Sequence, residues 1–225
     1  MKDQKQHSSL GETTAEAITR SEKFLDENKK AIVFVIIAAV ALVGLILGYK
    51  YLYKQPHEKN AEKSIFVAEN YFAKDSFQLA LNGNGADIMG FLDVIKKYDG
   101  TPSGNVAHAY AGICYYKLGD YAKAEEHLKK FDSSDTMVAP TLIGLIGDCY
   151  VEQDKYQEAI GYFEKAAKSA DNELISPIYL KKAATVYKHL GQNDKALECY
   201  KTIKEKYYAS QDAQDIDKYI EQLSF

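Results

Sequence analysis

The sequence predicts an all-α protein: a single transmembrane helix, then an α-solenoid of about four helix-turn-helix pairs, the first irregular, closed by a C-terminal capping helix. Two observations predict it. First, three blocks repeat one order of small, aromatic and turn residues. Gly112, Tyr115, Gly119, Tyr121, Ala124 and Leu128 align with Gly147, Tyr150, Asp154, Tyr156, Ala159 and Phe163, 35 residues later. Another 37 residues on come Ala184, Tyr187, Gly191, Asn193, Ala196 and Tyr200. A recurrence near this length marks stacked units that bury their apolar faces on one another. Second, Ala31 to Tyr49 runs for 19 residues without a charge.

Residues 1–30 are a polar tail of balanced charge. The i,i+4 pairs Glu16–Arg20, Lys23–Glu27 and Asp26–Lys30 would support a solvated helix, and a disordered tail is the alternative. As a helix, residues 31–49 would rise about 28 Å, close to the roughly 30 Å apolar thickness of a bilayer. Lys29 and Lys30 flank one end; Tyr49, Lys50, Tyr51, Tyr53 and Lys54 flank the other, as interfacial anchors do. The run is too long for a signal peptide, and Ala39-Val40-Ala41 lies inside it rather than after it, so it reads as an uncleaved anchor. Arg20, Lys23, Lys29 and Lys30 on one side equal Lys50, Lys54, Lys59 and Lys63 on the other. The charge count ties, and both orientations stay open. Gly44 and Gly48 form a GxxxG that could let two such spans pack as a homodimer, although Gly is also common in membrane helices.

A juxtamembrane linker at 50–60 leads to the repeat domain, 61–225. Its irregular first unit, 61–100, places Ala68, Tyr71, Phe77 and Ala80 on the repeat template, with the helix Gly90–Tyr98 delayed by Asn82-Gly83-Asn84-Gly85. Full repeats follow at 105–138, 140–173 and 177–210. Gly112, Gly147 and Ala184 leave room for a partner helix. Gly119 and Gly191 supply the left-handed residue of a helix stop. Pro140 and Pro177 open first helices, the second behind a cap-like Ser176. Over 212–223, Ile216, Tyr219, Ile220 and Leu223 make an i, i+3, i+4, i+7 stripe suited to capping an open stack.

Chemistry is sparse. A net charge of -4 gives no electrostatic reason to expect nucleic acid. Cys114, Cys149 and Cys199 have no CxxC spacing, and equivalent positions on stacked helices stand about 8–10 Å apart, so buried, inert thiols are expected. His7, His57, His108, His127 and His189 lack metal-ligand spacing. Glu125-Glu126-His127 reads as a solvated charged face. The glycine-rich 82–87 stretch lacks the GK[ST] ending of a phosphate loop, and no His is placed to activate Ser76. The expectation is a non-enzyme with no metal and no cofactor.

On the repeated residues, with Leu118-Gly119-Asp120-Tyr121 the strongest match, the chain resembles the tetratricopeptide repeat (TPR) family over residues 105–210, although the family's frequent Trp is absent. The resemblance implies a peptide-binding groove on the first helices: Ala109, Ile113, Tyr116 and Lys117, then Gly144, Asp148, Val151 and Glu152, then Lys181, Thr185, Lys188 and His189. Ala109 and Ile113 stand where a carboxylate-gripping TPR has Lys and Asn, which argues against that clamp. The order of tail, span and short array, with AKDSFQLALNGNGAD followed by GFLDVIKKY, is similar to the YfgM-like inner-membrane TPR proteins of Bacteroidetes type. That resemblance implies a cytoplasmic tail, a periplasmic repeat domain and an accessory or scaffold role. Its implied partners are Sec translocon subunits, periplasmic chaperones or client proteins. A scaffold facing the cytoplasm is the alternative, followed by a small-ligand-binding envelope protein.

Overall fold

The computed structural model describes residues 3–223, with side chains described at Lys23, Leu25 and from Glu27 onward. All regular structure among them is helical, and the chain forms two compact units, Met1–Pro56 and His57–Phe225.

The first unit is helix α1, Asp3–Gly48, followed by a widened turn, Tyr49–Lys54, in which Gln55 N–H donates to Lys50 O, five residues back. Pro56 explains the widening: it has no N–H to give, and its ring crowds the carbonyl four residues earlier. The predicted linker is therefore helical, and α2 begins at Gln55. A helix long and apolar enough to cross a membrane lies near the N-terminus, and its apolar side chains are solvent-exposed. Lys23 and Glu27 approach to 3.9 Å; the pairs Glu16–Arg20 and Asp26–Lys30 lie outside the described side chains. Nothing lies within 4 Å of a Cβ built on Gly44 or Gly48.

The second unit is a stack of helix pairs. Its irregular first unit joins α2 (Gln55–Phe72) to α3 (Phe77–Asn82) and α4 (Phe91–Tyr98). The full repeats are α5 (Pro102–Lys117) with α6 (Tyr121–Lys130), α7 (Val138–Val151) with α8 (Tyr156–Ala170), and α9 (Ser176–His189) with α10 (Asn193–Lys206). A 3-10 segment, Gln211–Asp215, and α11 (Ile216–Leu223) close the stack, with Ile216 buried and Tyr219, Ile220 and Leu223 packed on the core.

One turn recurs four times. Ser76 N–H donates to Tyr71 O, Asp120 to Tyr115 O, Lys155 to Tyr150 O and Gln192 to Tyr187 O, each five residues back, at 2.9–3.0 Å. The residue before each donor has positive φ: Asp75, Gly119, Asp154 and Gly191. This is a helix stop that satisfies the terminal carbonyls. Its presence after α2 makes the irregular unit a fourth copy. Nothing lies within 4 Å of a Cβ built on Gly191, whose φ is +71°. Gly191→Ala should therefore cost about 1–2 kcal/mol through backbone strain alone, read as a lower denaturant midpoint of the full-length protein.

The turns that lead into α5, α7, α9 and the 3-10 segment each carry a side-chain acceptor. Thr101 Oγ1 accepts from Gly104 N–H (3.0 Å), Asp135 Oδ1 from Val138 N–H (2.7 Å), Asn172 Oδ1 from Ile175 N–H (2.8 Å) and Ser210 Oγ from Ala213 N–H (3.2 Å). The first repeat accordingly starts at Pro102, three residues ahead of its expected start, because Pro fits a helix's first position behind a Thr cap. Ser176 is not a cap. It is fully buried and donates to Ala167 O (2.7 Å) while accepting from Asn172 N–H (3.0 Å), tying α9 back to α8.

Within pairs the small residues decide the spacing. A Cβ on Gly112 would meet Leu128 Cγ at 2.6 Å, and one on Gly147 would meet the Phe163 ring at 2.6 Å. Between pairs, the Tyr of α7 and that of α9 each reach the preceding second helix. Tyr150 Oη donates to Glu125 Oε1 and Tyr187 Oη to Glu164 Oε1, both at 2.6 Å. The three thiols are buried, and desolvation pushes each up to about 12, so they are unreactive.

Candidate binding groove

The first helices α7 and α9 lie side by side and, with the 3-10 segment, enclose an open cavity of about 380 Å³. Apolar positions come from the helical period: Val151 on α7, Phe163 on α8, Ile178 and Val186 on α9. Two ion pairs frame them. Lys182 Nζ holds both oxygens of Asp148 at 2.8 and 2.7 Å, and Lys181 Nζ holds Asp212 Oδ1 at 2.6 Å. Lys182 also sits 5.6 Å above the Tyr179 ring and 5.7 Å above Phe163. These aromatic faces favour the ammonium where water is partly excluded. Burial raises the Asp148 carboxyl above its ordinary value; Lys182 opposes that shift, and Glu152 adds to it. Both lysines are engaged by wall carboxylates, so the cavity presents an apolar floor with a neutralised rim. That arrangement suits an apolar side chain of a partner better than a terminal carboxylate.

Of the residues expected in a groove, Asp148, Val151, Lys181 and Thr185 meet here. Tyr116 lies half-buried, edge-on to Tyr121 with ring centroids 5.5 Å apart, and burial pushes its phenol up to about 12 with Asp148 and Glu152 adding to the effect. Ile113 packs on the core; Lys117 and Glu152 are exposed. Lys188 is half-exposed, and His189 lies 4.5 Å from the Tyr156 ring. None of these six lines the cavity. Ala109 and Gly144 are corrections. Both are buried, and a Cβ on Gly144 would fall on the Tyr179 ring. Ala109 packs in the core of the full repeats, and the smallness of Gly144 makes room for the Tyr179 ring.

Besides Phe163 and Val186 on the floor, three lining residues fall outside the expected groove set. Lys182 sits beside Lys181, and which of the two faces α7 depends on helix rotation, which the repeat period does not carry. Asp212 lies beyond the last repeat, although the Ser210 cap that begins a further helical turn is a readable sign. Ile178, which follows the helix-opening Pro177, is an exposed apolar residue that periodicity assigns to no core.

Comparison with known proteins agrees with the helical repeat fold. The family model described as "Anaphase-promoting complex, cyclosome, subunit 3" matches residues 94–166, and the model "Tetratricopeptide repeat" matches 181–207. The repeat domain is a TPR-type α-solenoid. The TPR repeat-containing protein MJ1428 of Methanocaldococcus jannaschii is 31% identical over 100 residues, 44% of this chain; the match spans only 17% of that relative's length. Two solved structures share the fold. A crystal structure of MamA protein aligns with TM-score 0.50 at 22% identity, covering 73% of this chain and 86% of that one. A structure of nearly identical TPR-like repeats from a Podosopora anserina kinesin light chain aligns with TM-score 0.51 at 16% identity, covering 75% and 94%. At these identities both are likenesses of fold alone. TPR domains in general bind other proteins or peptides, and they build their surfaces by stacking.

Proposed function

We propose that this chain is a membrane-tethered TPR interaction module that acts by binding rather than catalysis, recruiting proteins near the Sec translocon or in envelope biogenesis. The observation that carries the binding role is the α7–α9 cavity, with an apolar floor, self-paired charges and Thr185 exposed at its edge. Tethering is supported by the exposed apolar helix near the N-terminus. The translocon setting, the periplasmic placement of the repeats and partners of chaperone or client type rest on the order of parts, which resembles the YfgM-like proteins. A homodimer through Gly44 and Gly48 belongs to the same proposal. The second reading places the repeats in the cytoplasm, since the flanking lysine and arginine counts are equal.

A photo-crosslinking residue at Thr185, in the full-length protein in native membranes, tests the binding role against the same residue at exposed Lys201 on α10. Protein adducts at Thr185 and none at Lys201 are the expected result. No adduct at Thr185, or identical adducts at both, overturns the groove and favours a small-ligand role. Adducts that contain neither translocon subunits nor periplasmic chaperones count against the translocon setting. Labelling of a Lys201→Cys thiol by an impermeant reagent before lysis places the repeats outside; labelling only after lysis places them in the cytoplasm. The native thiols, all buried, leave this readout clean.

A further inference from the structure

His108 on α5 and His127 on α6 meet across the first full hairpin, their rings tilted by 37°. Their Nδ1 atoms are 3.1 Å apart and their ring centroids 5.2 Å apart. At that distance the two nitrogens share one hydrogen: one ring donates and the other must accept. An imidazolium carries N–H on both nitrogens and accepts nothing, so the contact requires at least one neutral ring. We propose that this pair is a proton-sensitive latch on the α5–α6 hairpin, closed while it carries at most one charge and opened when both rings are protonated.

The surroundings reinforce this behaviour. Tyr115 on α5 stacks on His127 with centroids 5.4 Å apart, and Lys123 on α6 stands 5.3 Å over that same tyrosine ring. Glu126 and Lys130 on α6 pair at 2.8 Å, so the carboxylate next to His127 in the chain is already engaged. Asp99, just ahead of α5, attracts a charge on His108, whereas Lys130 repels it. Both imidazoles are held below their ordinary value of 6.5, first by burial, with Lys130 acting in the same direction and Glu126 opposing. A histidine that binds its proton less readily when folded gives stability that is present above 6.5 and lost as the pH falls below it. Glu126, which Lys130 holds below its ordinary 4.5, acts only in a more acidic window.

The latch sits at a junction. Ala107, Ala111 and Cys114 of α5 belong to the apolar cluster of the irregular first unit, while Ala109 belongs to the cluster of the full repeats. Loosening α5 from α6 therefore loosens the join between the two parts of the stack.

Hydrogen exchange of the full-length protein in lipid nanodiscs at pH 7.5 and 5.5, corrected for the intrinsic pH dependence, tests the latch. At pH 5.5 the α5–α6 amides should gain several-fold in exchange over those of α9–α10, because the opened state binds protons more readily than the latched one. His127→Gln, which keeps a neutral hydrogen-bonding group, should abolish the difference, and His108→Gln should do the same. Equal acid responses in the two hairpins overturn the latch. So does an acid response that survives both substitutions, or ring-nitrogen NMR in which both histidines titrate independently near 6.5.

Discussion

Phe163→Ala is expected to lower the unfolding free energy by about 3–5 kcal/mol, the range for truncating a fully buried aromatic ring. The ring is 1% exposed and fills the space that Gly147 leaves open. It stacks at 6.3 Å on Tyr179 and lies beneath the Lys182 ammonium. Natural domains are stable by only about 5–15 kcal/mol, so the loss would be a large part of the whole. It should also be local. Repeat arrays are held by nearest-neighbour interfaces, and exchange should rise first in α7 to α10 while α3 to α5 stay protected. A midpoint change equivalent to less than about 1 kcal/mol, far below the usual cost of such a truncation, would show that the ring does not hold the two repeats together.

Gly144→Ala should be nearly as damaging for the opposite reason. The added methyl would land on the ring of Tyr179, which is buried and donates to Thr141 O at 3.1 Å. Overpacking of this kind costs about 1–3 kcal/mol. Tyr179 also carries Lys182, so its displacement tilts the Lys182–Asp148 wall of the cavity. Crosslinking from Thr185 should fall even though residue 144 does not line the cavity. Gly161→Ala is the control. Nothing lies within 4 Å of its Cβ position on the exposed face of α8, and Ala in place of Gly in a helix should raise stability by about 1 kcal/mol. If both substitutions lower stability equally, the fit between Gly144 and Tyr179 is not what matters.

The repeat register was legible because packing writes it directly: Gly112, Gly147 and Ala184 are small where a second helix presses in, and the tyrosines that follow span the gap between units. The stops at Gly119 and Gly191 were legible because few residues tolerate positive φ. Asp75 and Asp154 hold the same conformation with a side chain, and only alignment with the glycine stops reveals them. Contacts set by rotation and offset were not legible. Asp148 meets Lys182, not its register equivalent Thr185, because neighbouring first helices are displaced by about one turn. His108 and His127 lie 19 residues apart, a separation that crosses a helical hairpin and carries no local period. Asn172 rather than Ser176 caps α9, because an extra turn precedes the helix and moves the start away from Pro177.

The caps and stops have a consequence for how such a chain lengthens. Thr101, Asp135 and Asn172 open the three full repeats, and Gly119, Asp154 and Gly191 mark the bend inside each one. The segment from Asp135 to Asp171 thus brings its own entry signal and ends where the next begins. A tandem copy placed after Asp171 would present the same chemistry at both junctions. Growth by duplication requires no new joint, and the pairs that give the groove its character, Asp148 with Lys182 and Lys181 with Asp212, are free to drift apart in sequence afterwards.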